Sequence, residues 1–116
     1  MAGELNIRAT LSFSKGSAKV NRSESVSVTV TGDAYNSGVH AIGLTEEILL
    51  QGTDLGTLGY VFIQNLDATN FVRVGITGSY SIKLKAGEIA LFRAAADIYA
   101  IADTAICNVE YVLIEE

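Results

Sequence analysis

Leu5, Ile7, Ala9, Leu11 and Phe13 alternate with Asn6, Arg8, Thr10 and Ser12, and further on Val26, Val28 and Val30 alternate with Ser25, Ser27 and Thr29. A period of two sends successive side chains to opposite faces, so both segments predict strands with one apolar face. The small polar stretch 14–19 lies between them, and Gly16 suits a turn because it tolerates positive φ. Residues 31–38, rich in Gly, Asp, Asn and Ser, predict a loop. Short β-branched and aromatic runs follow at 39–44, 46–51, 60–65, 71–76, 80–84, 88–94, 98–102 and 106–114. The punctuation at 52–59, 67–70, 77–79 and 85–87 is turn chemistry. Only the alanine-rich stretch 88–102 approaches a helical repeat. Asp97 interrupts it and Tyr99 and Ile101 resume alternation, so it reads as two strands.

Eight to ten short strands with no intervening helix predict an all-β chain, folded as an antiparallel β-sandwich or jelly roll. The length of 116 residues suits one domain spanning 1–116, with residues 1–8 as an arm that pairs with a neighbouring subunit.

Composition removes several function classes. Eight basic and thirteen acidic residues leave a net charge of −5, and the cations are scattered, which argues against nucleic acid as a partner. No apolar run reaches the roughly 18 residues of a membrane helix, so no membrane partner is expected. The start Met1-Ala2-Gly3-Glu4-Leu5 lacks the basic and apolar regions of a signal peptide, which predicts folding in a cytoplasm, where the Asn21-Arg22-Ser23 sequon is incidental. The single cysteine, Cys107, cannot form an intrachain disulfide, and its apolar run predicts a packed thiol. Proline is absent, so exposed sheet edges need some other protection, such as pairing with another subunit.

Catalytic constellations are missing. His40 stands alone between Val39 and Ala41, without a Gly-x-Ser-x-Gly elbow, and one histidine cannot build a cupin-type metal site. Glu46 and Glu47 point to opposite faces of a strand and read as solvated, while Glu115 and Glu116 end the chain. Asp33, Asp54, Asp67 and Asp97 sit in or beside turns, where such side chains bond their own backbone. The glycines at 52, 56 and 59 match no phosphate-binding loop. The sequence therefore predicts no enzyme, no cofactor and no metal.

What remains is a surplus of apolar surface. Hydrophobic residues make up 49% of the chain and charged ones 18%. Ile89, Leu91 and Arg93 alternate with Ala90, Phe92 and Ala94, while 48–50 and 112–114 are continuously apolar. A strand apolar on both faces needs cover on both, and one core covers only one. Leu5, Ile7, Leu49, Leu50, Phe92, Leu113 and Ile114 are accordingly the candidate contacts with other subunits. Tyr35 and Tyr60, near loops, are candidate platforms for stacking on a sugar.

The segment Gly59-Tyr60-Val61-Phe62-Ile63-Gln64-Asn65-Leu66-Asp67-Ala68-Thr69-Asn70-Phe71-Val72, together with 82–93, 99–105 and 109–113, resembles a group of small structural proteins of tailed bacteriophages. The resemblance covers roughly the C-terminal half. It implies a virion protein of β-sandwich or jelly-roll type, a capsid cement or decoration protein. Such a protein is made in the host bacterial cytoplasm, sits as a homotrimer on the outer capsid surface and ties major capsid protein subunits together. The alternatives are a tail, baseplate or head-fibre component, or a carbohydrate-binding module for host attachment.

Overall fold

The computed structural model describes residues 3–49 and 51–116. Among these the chain is all-β and antiparallel, with ten strands and no helix long and apolar enough to cross a membrane. Its contacts divide at Thr31 and Gly32 into two compact units. The first unit is a ribbon and the second a sandwich.

The ribbon pairs β1 (Leu5–Lys15) with β2 (Ala18–Val28) along their whole length, from Leu5 opposite Val28 to Lys15 opposite Ala18. Gly16 turns the chain at φ +59°, a left-handed conformation that L side chains resist. The expected arm of residues 1–8 is thus one part of a complete hairpin, and Met1 and Ala2 lie outside the described residues. Polar alternation in β2 continues through Asn21 and Ser23, which places strand where the sequence was read as strand only from about Ser25.

The sandwich packs two four-stranded sheets. One has the order β3 (Tyr35–Ile42), β10 (Cys107–Glu115), β5 (Leu58–Asn65), β8 (Ile89–Arg93); the other has β4 (Glu47–Ile48), β9 (Tyr99–Ala102), β6 (Val72–Ile76), β7 (Ser79–Leu84). The stretch 88–102 does form two strands, β8 and β9, one in each sheet. Strand β3 begins inside the expected loop, because Tyr35, Asn36, Ser37 and Gly38 pair with Ile114, Leu113, Val112 and Tyr111.

Inward residues of both sheets form one core. Val61 and Ile63 of β5, Val109, Tyr111 and Leu113 of β10, Val72 and Val74 of β6, Leu84 of β7 and Ala100 and Ala102 of β9 are all buried, as is Cys107. Asn65 is the buried polar member among the described residues. Its Nδ2 donates to the carbonyls of Asn70 at 2.9 Å and Leu84 at 3.0 Å, while its Oδ1 accepts from Asp67 N–H at 2.9 Å.

Candidate interaction surfaces

Strand register sorts the ribbon's side chains. Leu5, Ile7, Ala9, Leu11 and Phe13 share one face with Val28, Val26, Glu24, Arg22 and Val20; Asn6, Arg8, Thr10, Ser12 and Ser14 share the other with Ser27, Ser25, Ser23, Asn21 and Lys19. The polar face is laced by Thr10–Ser23 at 3.1 Å and by Ser27 donating to Asn6 at 2.8 Å, both between directly opposed residues. The apolar face lies open: Leu11 is 64% exposed, Phe13 48%, Val20 52% and Val26 53%. Leu5 and Ile7 are half-buried. The face carries one ion pair, Arg22 to Glu24 at 2.5 Å, too solvated to contribute much. Covering what remains exposed of a side chain such as Leu11 or Phe13 stabilises by about 1–2 kcal/mol, and a two-stranded ribbon alone is marginal.

A second apolar surface is the outer face of the sheet β3-β10-β5-β8. Register aligns Tyr35, Ile114, Tyr60 and Arg93 in one row across the four strands, then Ser37, Val112, Phe62 and Leu91, then Val39, Glu110, Gln64 and Ile89. Tyr35, Val39, Ile89 and Leu91 are exposed, and Tyr60, Phe62, Val112 and Ile114 half-buried. The Arg93 guanidinium lies 4.7 Å from the Tyr60 ring centre and reaches Glu116 at 3.8 Å. Tyr60 lies in the strand expected for it, whereas Tyr35 belongs to β3 rather than to the expected loop; the two flank Ile114 on one face.

Several candidate contacts point the other way. Leu49 and Leu113 are buried in the sandwich core, and Phe92 is turned inward against it, so these three stabilise the unit itself. Their outward neighbours, Ile114 beside Leu113 and Leu91 beside Phe92, present apolar surface to solvent. Leu50 lies outside the described residues. Leu11, Phe13, Val20, Val26, Val39, Ile89 and Leu91 are exposed apolar side chains that were not among the candidate contacts. The alternation already placed Leu11 and Phe13 beside Leu5 and Ile7, but Val20 and Val26 join them only through cross-strand register.

The carboxylates of the sandwich serve as local ties. Glu47 accepts from Gly43 N–H at 2.6 Å and bonds His40 Nε2 at 2.9 Å, while His40 Nδ1 is buried without a hydrogen-bond partner among the described residues. Glu46 turns the opposite way and accepts from the Thr77 and Tyr80 hydroxyls and Gly78 N–H. Both carboxylates stay partly solvated, and each is also tied by hydrogen bonds. The Thr77 hydroxyl foremost, then Tyr80 and Gly78, hold the Glu46 carboxyl below the usual range, and that contact raises the Tyr80 phenol. Glu115 accepts from Gly56 at 2.6 Å and Ala34 at 3.2 Å, and Asp67 from Asn70 at 2.6 Å and Thr69 at 3.0 Å; both are lowered by those N–H groups, Gly56 and Asn70 foremost. Burial, and secondarily the Asp67 charge, pushes the Cys107 thiol up. These groups hold turns and chain ends in place.

Comparison of the chain with protein-family models, with curated proteins and with solved structures finds no match.

Proposed function

We propose that this chain is a non-enzymatic structural protein of a tailed-bacteriophage virion, a capsid cement or decoration protein on the outer capsid surface that bridges and stabilises major capsid protein subunits. It is synthesised in the host cytoplasm and its copies associate as a homotrimer. One observation carries the reading: the amphipathic ribbon 5–28 exposes a largely apolar face, broken by the Arg22–Glu24 pair, that its own two strands cannot cover. An unblocked apolar ribbon of this kind stays soluble and folded only by being sealed against another surface. The sheet orders β3-β10-β5-β8 and β4-β9-β6-β7 support reading the sandwich as a jelly roll, the finer class that the resemblance implies.

The test is co-sedimentation with capsid shells that lack the protein. Binding to shells but not to isolated tails, with loss of shell resistance to heat when the protein is omitted, is the expected result. Binding to tails alone moves the protein to the tail or baseplate and refutes the cement role. The row Tyr35, Ile114, Tyr60 favours one second reading, a sugar platform on the outer sheet face, since Tyr35 is 70% exposed. A glycan array giving a signal that Tyr35→Ala abolishes selects that reading over the first.

A further inference from the structure

We infer that the ribbon covers its apolar face with the same face of a second copy, in a weak, reversible two-fold contact that lays the two ribbons antiparallel. The residue pattern of the ribbon carries this, so it goes beyond the capsid reading and stands or falls without it. A two-fold contact cannot close a trimer; it joins a copy to one outside its own trimer.

The face is self-complementary about its midpoint. Its six cross-strand rows run Leu5/Val28, Ile7/Val26, Ala9/Glu24, Leu11/Arg22, Phe13/Val20 and Lys15/Ala18. Turning a second ribbon over, about an axis that crosses the strands between the third and fourth rows, sets β1 over β1 and β2 over β2. The first row then meets the sixth, the second the fifth and the third the fourth. Small side chains face larger ones, Ala9 against Leu11 and Ala18 against Val28, while Ile7 meets Phe13 and Val20 meets Val26. Lys15 lays its aliphatic stem on Leu5 at the end of the face, where its ammonium reaches water.

Charge selects this arrangement. Arg22 and Glu24 interrupt the face on either side of its midpoint, both on β2. In the antiparallel contact Arg22 of each copy meets Glu24 of the other, giving two ion pairs along the β2 rim. The other two-fold stacking, with the ribbons parallel, sets Arg22 on Leu11 and Glu24 on Ala9 and matches no charges across the contact. The two charges cancel in sum, so their positions, not the net charge, recognise the partner.

Size sets the strength. Eleven residues per strand span about 36 Å and two strands are about 10 Å wide, so each copy offers about 360 Å² of projected face. Two such faces total about 720 Å², within the transient class below about 1,200 Å². The contact is therefore weak, with a dissociation constant on the order of 0.1 mM, and it tightens where many copies are held side by side.

The test is charge reversal in the full chain, read by sedimentation equilibrium from about 10 µM to about 1 mM. Arg22→Glu and Glu24→Arg each turn both ion pairs into like-charge contacts. Both side chains are largely exposed, so each variant keeps its fold by circular dichroism. Each alone is expected to lose at least ~10-fold in self-association. An equal mixture of the two restores it, because each then meets its opposite, and the double variant Arg22→Glu/Glu24→Arg restores it as well. Unmodified protein whose mass does not rise with concentration overturns the inference. So do single variants that associate like the unmodified protein, which place the contact elsewhere, and so does a mixture or double variant no better than the single ones. Shell co-sedimentation of the same samples separates the two ideas. Charge-reversal rescue without shell binding refutes only the capsid role, and shell binding without rescue refutes only the ribbon contact.

Discussion

Replacing Asn65 by alanine removes the side chain that ties the end of β5 to the 67–70 turn and to the end of β7. Two carbonyl oxygens, Asn70 and Leu84, and the Asp67 N–H lose their partners. The Leu84 bond is buried and the other two are partly so, which sets the cost at about 2 kcal/mol for the first and about 1 kcal/mol for each of the others. The sum, about 4 kcal/mol, is a large fraction of the ~5–15 kcal/mol that holds a domain together. The bonds of Asn65 N–H to Glu88 and of Asn65 C=O to Gly87 belong to the backbone and survive, so the strand itself is kept. All five tyrosines lie between Tyr35 and Tyr111, so tyrosine fluorescence in urea reports the sandwich and not the ribbon. With a slope of about 2 kcal/mol/M, the midpoint is expected to fall by about 2 M. A fall below about 0.5 M at unchanged slope refutes the reasoning. Asn65→Asp sharpens the test, because it keeps the acceptor for Asp67 N–H but sets a carboxylate against two carbonyls. It is expected to be at least as damaging at pH 7 and less so once acid protonates it.

Gly75→Ala should cost about 2–3 kcal/mol, because a Cβ there would stand 2.3 Å from the Ser79 carbonyl oxygen and 2.8 Å from Tyr80 Cα, at the point where the β6–β7 register shifts; an unchanged urea midpoint counts against it. Acid should destabilise the sandwich in a defined window. Glu46, Asp67 and Glu115 are lowered below their ordinary values of 4.5, 3.8 and 4.5, so their contribution is complete above those values and is lost as pH falls through the depressed ones. The urea midpoint is expected to be flat down to about pH 5 and to fall below it, less steeply in Glu46→Gln; a midpoint that rises on acidification contradicts this. The Cys107 thiol, buried and raised, should react with a disulfide reagent only as fast as the sandwich opens, and labelling of the native protein at the rate of free cysteine disproves its packing.

Local chemistry was legible in the sequence wherever a residue acts on its immediate neighbours. Gly16, Gly78 and Gly87 turn the chain at positive φ where turns were expected, Asp67 caps its own loop, and period-two alternation located all ten strands, most to within a few residues. The edge strand Tyr35–Ile42 was read late because Asn36, Ser37 and Gly38 have loop chemistry and become strand only by pairing with β10. Where both faces of a strand are apolar, alternation has a period but no sign. Leu113 against Ile114, or Phe92 against Leu91, is settled by which face the opposite sheet covers. Pairing over long separations likewise joined Val26 to Ile7 and drew Asn65, Asn70 and Leu84 into one buried cluster. Sequence alone determined strands, turns and an excess of apolar surface. Only tertiary packing decided where that excess lies, because the choice between two equally apolar faces depends on contacts with distant segments that no local pattern encodes.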